Sequence, residues 1–219
     1  MRKPSIFEAI YMFGVGMKGA FLTAYGVLRL RRLRQPIISV FGGSAAYENG
    51  KYAKHAHEFG RVCAAQGMSI ITGGGPGIME AANCGAHDVA GPNHTLGIGV
   101  RGVDDAFYNP CAPIVVVDHF FGRKWLLTRY SVAFVLFPGG IGTMDEFTEV
   151  TNQIKLKKMD KVPIIFFGSS YWKSFIDWYE HAFEYDFIEL PPENAFIVVD
   201  DVEDALAIII DSIERKSNG

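Results

Sequence analysis

Cysteine is scarce in this chain, charges of the two signs nearly cancel, and the usual metal and cofactor signatures are missing. The three cysteines, Cys63, Cys84 and Cys111, are widely spaced and form no C-x-x-C pair. Zinc chelation and thiol exchange therefore lack their customary pattern, and a reducing, cytoplasmic setting is the expectation. Six histidines are scattered without an H-E-x-x-H or similar grouping, so no protein-built metal site is expected. Lys plus Arg number 21 against 24 Asp plus Glu, a formal charge of −3, which gives no reason to expect capture of nucleic acid. A G-x-G-x-x-G fingerprint starting at Gly73 fails because Ile78 stands where its last glycine should be. A G-x-x-x-x-G-K-[ST] loop is missing too, because Gly142-Thr143 is followed by Met144. Dinucleotides and nucleoside triphosphates are both disfavoured as ligands.

An uninterrupted apolar run long enough to span a bilayer is also lacking. Ile6 to Leu30 comes nearest, but it contains Glu8, Lys18 and four glycines and runs into Arg29, Arg31, Arg32 and Arg34. A plain membrane span is not expected. Residues 1–35 read instead as a helical extension, one or two helices packed on the main domain or on a partner subunit. The sharper alternative is a helix lying on a membrane surface with its arginines at the headgroups.

What the chain does have is 219 residues with 49% hydrophobic content, enough for one α/β domain over residues 36–219. From Pro36 onward, short β-branched runs alternate with helical stretches. Strands are predicted at Ile37–Phe41, Met68–Thr72, Thr95–Val100, Ile114–Val117, Val132–Phe137, Val162–Phe167 and Phe196–Val199. Helices are predicted at Tyr47–Gln66, Ile78–Val89, Phe120–Tyr130, Met144–Leu156, Trp172–Tyr185 and Val202–Lys216. Near-continuous apolar strands mean that both sheet faces are covered, so the fold class is α/β with a doubly wound parallel sheet.

Ligands of such sheets sit beyond the carboxyl ends of the strands. Three predicted strands run into glycine-rich loops: Gly42-Gly43-Ser44, Gly73-Gly74-Gly75-Pro76-Gly77, and Pro138-Gly139-Gly140-Ile141-Gly142-Thr143. Glycine allows close approach to backbone amides, and the helix after each loop adds unsatisfied N–H groups and a positive dipole end. A single such loop is as readily a tight turn, but three on one sheet edge point to an anion such as phosphate. Arg123 and Lys124 open a predicted helix, where cations oppose the dipole and so call for a functional reason. Past the third loop come Asp145, Glu146 and Glu149, of which 146 and 149 share a helix face. Glu149 reads first as a solvated helix residue.

The strings TGGGPGIMEAAN (Thr72 to Asn83) and FPGGIGTMDE (Phe137 to Glu146), with Arg123-Lys124 between them, resemble the Lonely Guy family. Its members are phosphoribohydrolases that release cytokinin bases from riboside monophosphates and are often mislabelled lysine decarboxylases. The likeness runs from about Pro36 to the C-terminus. It implies a Rossmann-like homodimer without a cofactor, acting on a purine nucleoside 5′-monophosphate, either AMP or a cytokinin type. Gly139, Gly140, Gly142 and Thr143 would hold the phosphate, Ser44, Gly74, Gly75, Lys124 and Thr151 would contact substrate, and Arg123 and Glu146 would be catalytic. Two departures stand out. Between Gly97 and Pro110 only Asp104 and Asp105 are candidates for an acidic substrate contact. A threonine expected six positions past the glutamate is Asn152, with Thr151 one place earlier.

Two rival functions are open to such a chain. A decarboxylase would need pyridoxal phosphate and an aldimine lysine, for which Lys124 is the only candidate near the loops. A non-catalytic nucleotide sensor or carrier would need the cation and the glycines but no carboxylate beside the phosphate.

Overall fold

A computed structural model describes residues 5–45, 50–103 and 107–217. The elements are α1 (Ile6–Leu30), β1 (Ile37–Phe41), α2 (Lys51–Ala65), β2 (Ser69–Thr72), α3 (Ile78–Ala90), β3 (Thr95–Val100), β4 (Ile114–Val117) and α4 (Phe120–Thr128). They continue as β5 (Ser131–Leu136), α5 (Ile141–Lys155), β6 (Ile164–Phe167), α6 (Ser169–Glu184), α7 (Pro192–Ala195), β7 (Ile197–Val199) and α8 (Val202–Ser217).

The strands form one parallel sheet in the order β4-β3-β2-β1-β5-β6-β7. Alternate residues of β1 serve opposite cores, as the period of two demands. Ile37 and Phe41 pack with Leu126, Leu136 and Phe147 on one face. Ile38 and Val40 pack with Phe59, Ile78, Val135 and Ile209 on the other. All five β1 residues are buried, and each large side chain among them contributes roughly 1.5–3 kcal/mol by leaving water.

Several element boundaries differ from the sequence reading for identifiable reasons. Helix α5 begins at Ile141 rather than Met144, with Gly140 as its N-cap in extended backbone. Gly142 is accommodated because first-turn amides need no intrahelical acceptor. Helix α6 begins three residues early at Ser169, whose N–H and hydroxyl both donate to Asp200, at 2.8 and 2.6 Å. Helix α4 stops at Thr128, and α2 starts at Lys51, residues 47–49 of the predicted helix lying outside the described residues. The short α7 was not anticipated. A Cys84–Cys111 disulfide links α3 to the segment before β4, across a separation of 27 residues that no spacing rule flags.

The N-terminal segment is a single helix of 25 residues. Its second half packs on α4 and β4. Gly26 lies against Leu126, Leu30 and Leu33 join the core, and Lys18 pairs with Asp118 at 2.8 Å.

Candidate active site

From β1 the chain winds outward through β2, β3 and β4, then returns to place β5 on the other side of β1. The loops after β1 and β5 therefore diverge, which is where open α/β sheets form a crevice. Short bonds hold the three glycine loops around it. Gly43 N–H donates to the Pro138 carbonyl at 2.9 Å, and Ile78 N–H donates to the Gly43 carbonyl at 3.2 Å. Gly77 must be glycine: its φ is +71°, and a Cβ there would stand 2.6 Å from the Gly43 carbonyl oxygen. The resulting cleft encloses about 430 Å³.

One end of the cleft suits an anion. Gly140 caps α5 with no side-chain hydrogen bond, and the first backbone bond runs from Met144 N–H to the Gly140 carbonyl at 3.1 Å. The amides before Met144 are left for a ligand at the positive end of a 15-residue helix. Gly140 and Gly142 both line the cleft, and a Cβ on either would meet no atom of the described residues within 4 Å. Packing gives no reason for glycine at either position, whereas open access to the amides does.

The other wall carries charge. Arg123 reaches from α4 so that a Cβ on Gly73 would collide with its guanidinium. Glu146, on α5, is only 9% exposed, and its Oε2 is buried with no hydrogen-bond partner among the described residues. Burial pushes the Glu146 carboxyl up to about 7. The positive charges of Arg123 and Lys124 oppose that rise, and Asp145 and Glu149 add to it. Such a group is partly ionised near neutrality and can accept or return a proton.

The sequence-derived residues divide accordingly. Ser44, Arg123, Gly140, Gly142, Thr143 and Glu146 line the cleft, together with Met79, Phe120 and Asp145. Gly74 and Gly75 lie behind it in a buried polar network. Gly74 N–H donates to Thr72 Oγ1 at 3.0 Å, and Asn109 donates from its backbone to the Gly74 carbonyl and from its side chain to that of Gly75. Gly139 packs its α-carbon against Thr143, and its carbonyl accepts from the Tyr171 hydroxyl at 2.6 Å. Lys124 donates to Asp145 at 2.8 Å and lies 3.7 Å from Glu149. Thr151 donates to the Phe147 carbonyl at 2.8 Å and is not among the cleft-lining residues. Asp104 and Asp105 fall outside the described residues. Met79 and Phe120 were missed, although each opens a helix that follows a strand and so faces the crevice.

Comparison with known proteins gives the family and the fold. The family described as possible lysine decarboxylase matches residues 79–209. A cytokinin riboside 5′-monophosphate phosphoribohydrolase of Rhodococcoides fascians is 28% identical over 176 residues, 78% of this chain and 88% of that protein. The enzyme of the same name from Oryza sativa subsp. japonica is 28% identical over 183 residues, 82% of this chain and 69% of that protein. Among solved structures, the molybdenum cofactor binding protein of Rippkaea orientalis superposes with a TM-score of 0.62 at 22% identity, covering 82% of this chain and 98% of that one. The molybdenum cofactor carrier protein of Chlamydomonas reinhardtii gives 0.60 at 22% identity, covering 82% and 99%. These two likenesses speak to the fold alone. With more than half of its length matched by the family and the PGGIGT loop built into the cleft, the chain belongs to the Lonely Guy family.

Proposed function

We propose that this chain is a phosphoribohydrolase that cleaves the N-glycosidic bond of a purine nucleoside 5′-monophosphate, AMP or a cytokinin type, to free base and ribose 5-phosphate. The observation that carries this reading is the buried Glu146 carboxyl, with one oxygen unpartnered among the described residues, in the cleft whose floor is the open N-terminus of α5. The curated relatives named above are phosphoribohydrolases, which supports the same reaction.

In this reading the 5′-phosphate sits on the amides of Gly140 to Thr143, and Arg123 supplies a charge-assisted contact. As the C1′–N bond lengthens, its electron pair leaves with the base and positive charge builds on the ribose. The ionised Glu146 stabilises that charge and takes a proton from the attacking water, whose oxygen becomes the anomeric hydroxyl. The departing base ends with the proton. Met79 and Phe120 supply apolar surface for a planar base.

A pyridoxal enzyme does not fit these residues. Burial pulls Lys124 down, but its bond to Asp145 and the charges of Asp145, Glu146 and Glu149 outweigh this and hold the ammonium above its ordinary value. An aldimine lysine must instead lose its proton readily. A pure carrier would gain nothing from a carboxylate beside a phosphate.

Incubation with a panel of nucleoside 5′-monophosphates and the matching nucleosides, followed by chromatography, tests the proposal. Equimolar base and ribose 5-phosphate from monophosphates alone is the expected result. Tight nucleotide binding with no base released would favour the carrier.

A further inference from the structure

Helix α1 presents the wrong face to water. At 100° per residue, Ile10, Met17, Phe21 and Leu28 fall within about 20° of one line along the helix, with Phe13 and Tyr25 on its flanks. Those first four side chains are between 55% and 76% exposed. The opposite face carries the small residues and meets the domain: Gly19 lies against His119, Gly26 against Leu126, and Thr23 against Gly122. A surface helix normally shows the reverse arrangement, so an apolar stripe running most of the length of α1 is built for a cover.

Charge indicates what the cover is. Residues 1–35 contain seven Lys or Arg and a single Glu, whereas the remaining residues contain fourteen Lys or Arg against twenty-three Asp or Glu. The nearly neutral total thus hides a segment of about +6 on a body of about −9. Arg31, Arg32 and Arg34 are exposed at the end of α1 and make no ion pair among the described residues. No described helix is long and apolar enough to cross a membrane.

The geometry points to α1 as an in-plane anchor that lies on an anionic lipid bilayer, its stripe seated among the acyl chains and its arginines at the headgroups. A second copy of the chain would cover the stripe equally well by shape. It would, however, bring two strongly cationic segments together, whereas an anionic surface complements both the stripe and the charge. The acidic body is repelled from the same surface, which leaves the helix as the contact.

The test is sedimentation of the full chain with vesicles of phosphatidylcholine containing phosphatidylglycerol, and with vesicles of phosphatidylcholine alone. Two variants are compared with the parent, Met17→Glu/Phe21→Glu on the stripe and Arg31→Gln/Arg32→Gln/Arg34→Gln beyond it. Because these side chains are exposed, both variants should keep the parental melting temperature. The expected result is binding to the anionic vesicles only, weakened by salt, with the partition coefficient lowered about tenfold or more in each variant. Sizing in the absence of lipid should show the same oligomeric state for the parent and the stripe variant. The proposal is overturned if the parent does not sediment with anionic vesicles or binds the neutral ones equally well. It is also overturned if the stripe variant changes the oligomeric state while vesicles take up neither protein, in which case a second copy is the cover.

Discussion

The Lys124 ammonium donates to the Asp145 carboxylate at 2.8 Å, tying α4 to α5 at the cleft wall, one residue away from Arg123 on α4 and from Glu146 on α5. Asp145 is half-exposed, so the pair contributes only about 0–1 kcal/mol to stability. Its consequence is geometric. Asp145→Asn should change the melting temperature little yet lower kcat about tenfold or more at a nearly constant KM, because small displacements of catalytic groups are costly. Steady-state kinetics beside a thermal melt would separate the two effects.

Glu146→Gln keeps the shape and removes the charge. Turnover should fall on the order of 10² to 10⁴, the usual loss for a positioned base, while nucleotide binding survives. Calorimetric titration with AMP checks the second half. The parental kcat should rise with pH through about 7, where the carboxyl ionises, and a residual rate in the variant should lack that limb.

The same carboxyl makes stability depend on pH. Its ordinary value is 4.5 and burial raises it to about 7 in the fold. Between these values the unfolded chain has lost the proton and the folded chain keeps it, so stability falls as pH rises. Glu146 therefore contributes a stability that is complete below about 4.5 and gone above about 7. The melting-temperature advantage of Glu146→Gln should grow across that window and level off above it. An advantage that shrank with rising pH would mean that the carboxyl is not held protonated.

Arg123→Ala should weaken binding as well as turnover, because a cation on phosphate acts in the ground state too. A charge-assisted bond is worth about 1.5–3 kcal/mol, which predicts roughly ten- to a hundredfold in Kd. Adenosine, which lacks the phosphate, should lose far less affinity than AMP in the same variant.

The sheet was legible from its apolar runs: Ile37–Phe41 and Thr95–Val100, buried on both faces, and the edge strand Ile114–Val117, fully buried on one face only, were all bounded to the residue. The convergence of the glycine loops was legible too, since each follows a strand in a parallel sheet. What could not be read is how the glycines divide. Gly74 turns at a φ of +77° within the Asn109 network, whereas Gly140 opens onto the cleft, and a one-letter code does not say which way an α-carbon faces. Arg123 and Lys124 are likewise neighbours in sequence, but Lys124 is claimed by a carboxylate 21 positions later. Thr151 matched a family position only approximately, and its hydroxyl is satisfied within its own helix.

The division of the glycines can be tested within the third loop itself. A methyl at Gly139 would collide with the Thr143 hydroxyl and stand 3.0 Å from the Gly43 nitrogen, so Gly139→Ala must displace the join between two loops. Overpacking of this kind costs about 1–3 kcal/mol, and a lowered melting temperature is expected. Gly140 has a φ of −99°, accessible to any residue, and open space where its Cβ would be. Gly140→Ala should therefore leave stability unchanged or raise it by about 0.4–1 kcal/mol through the unfolded chain. The same methyl would crowd the amides proposed to hold the phosphate, and AMP should bind about tenfold more weakly or worse. Opposite responses at adjacent glycines, one in melting temperature and the other in Kd, would mark Gly139 as the hinge of the loop and Gly140 as its ligand face. Parental affinity for AMP in Gly140→Ala would move the phosphate away from the α5 N-terminus.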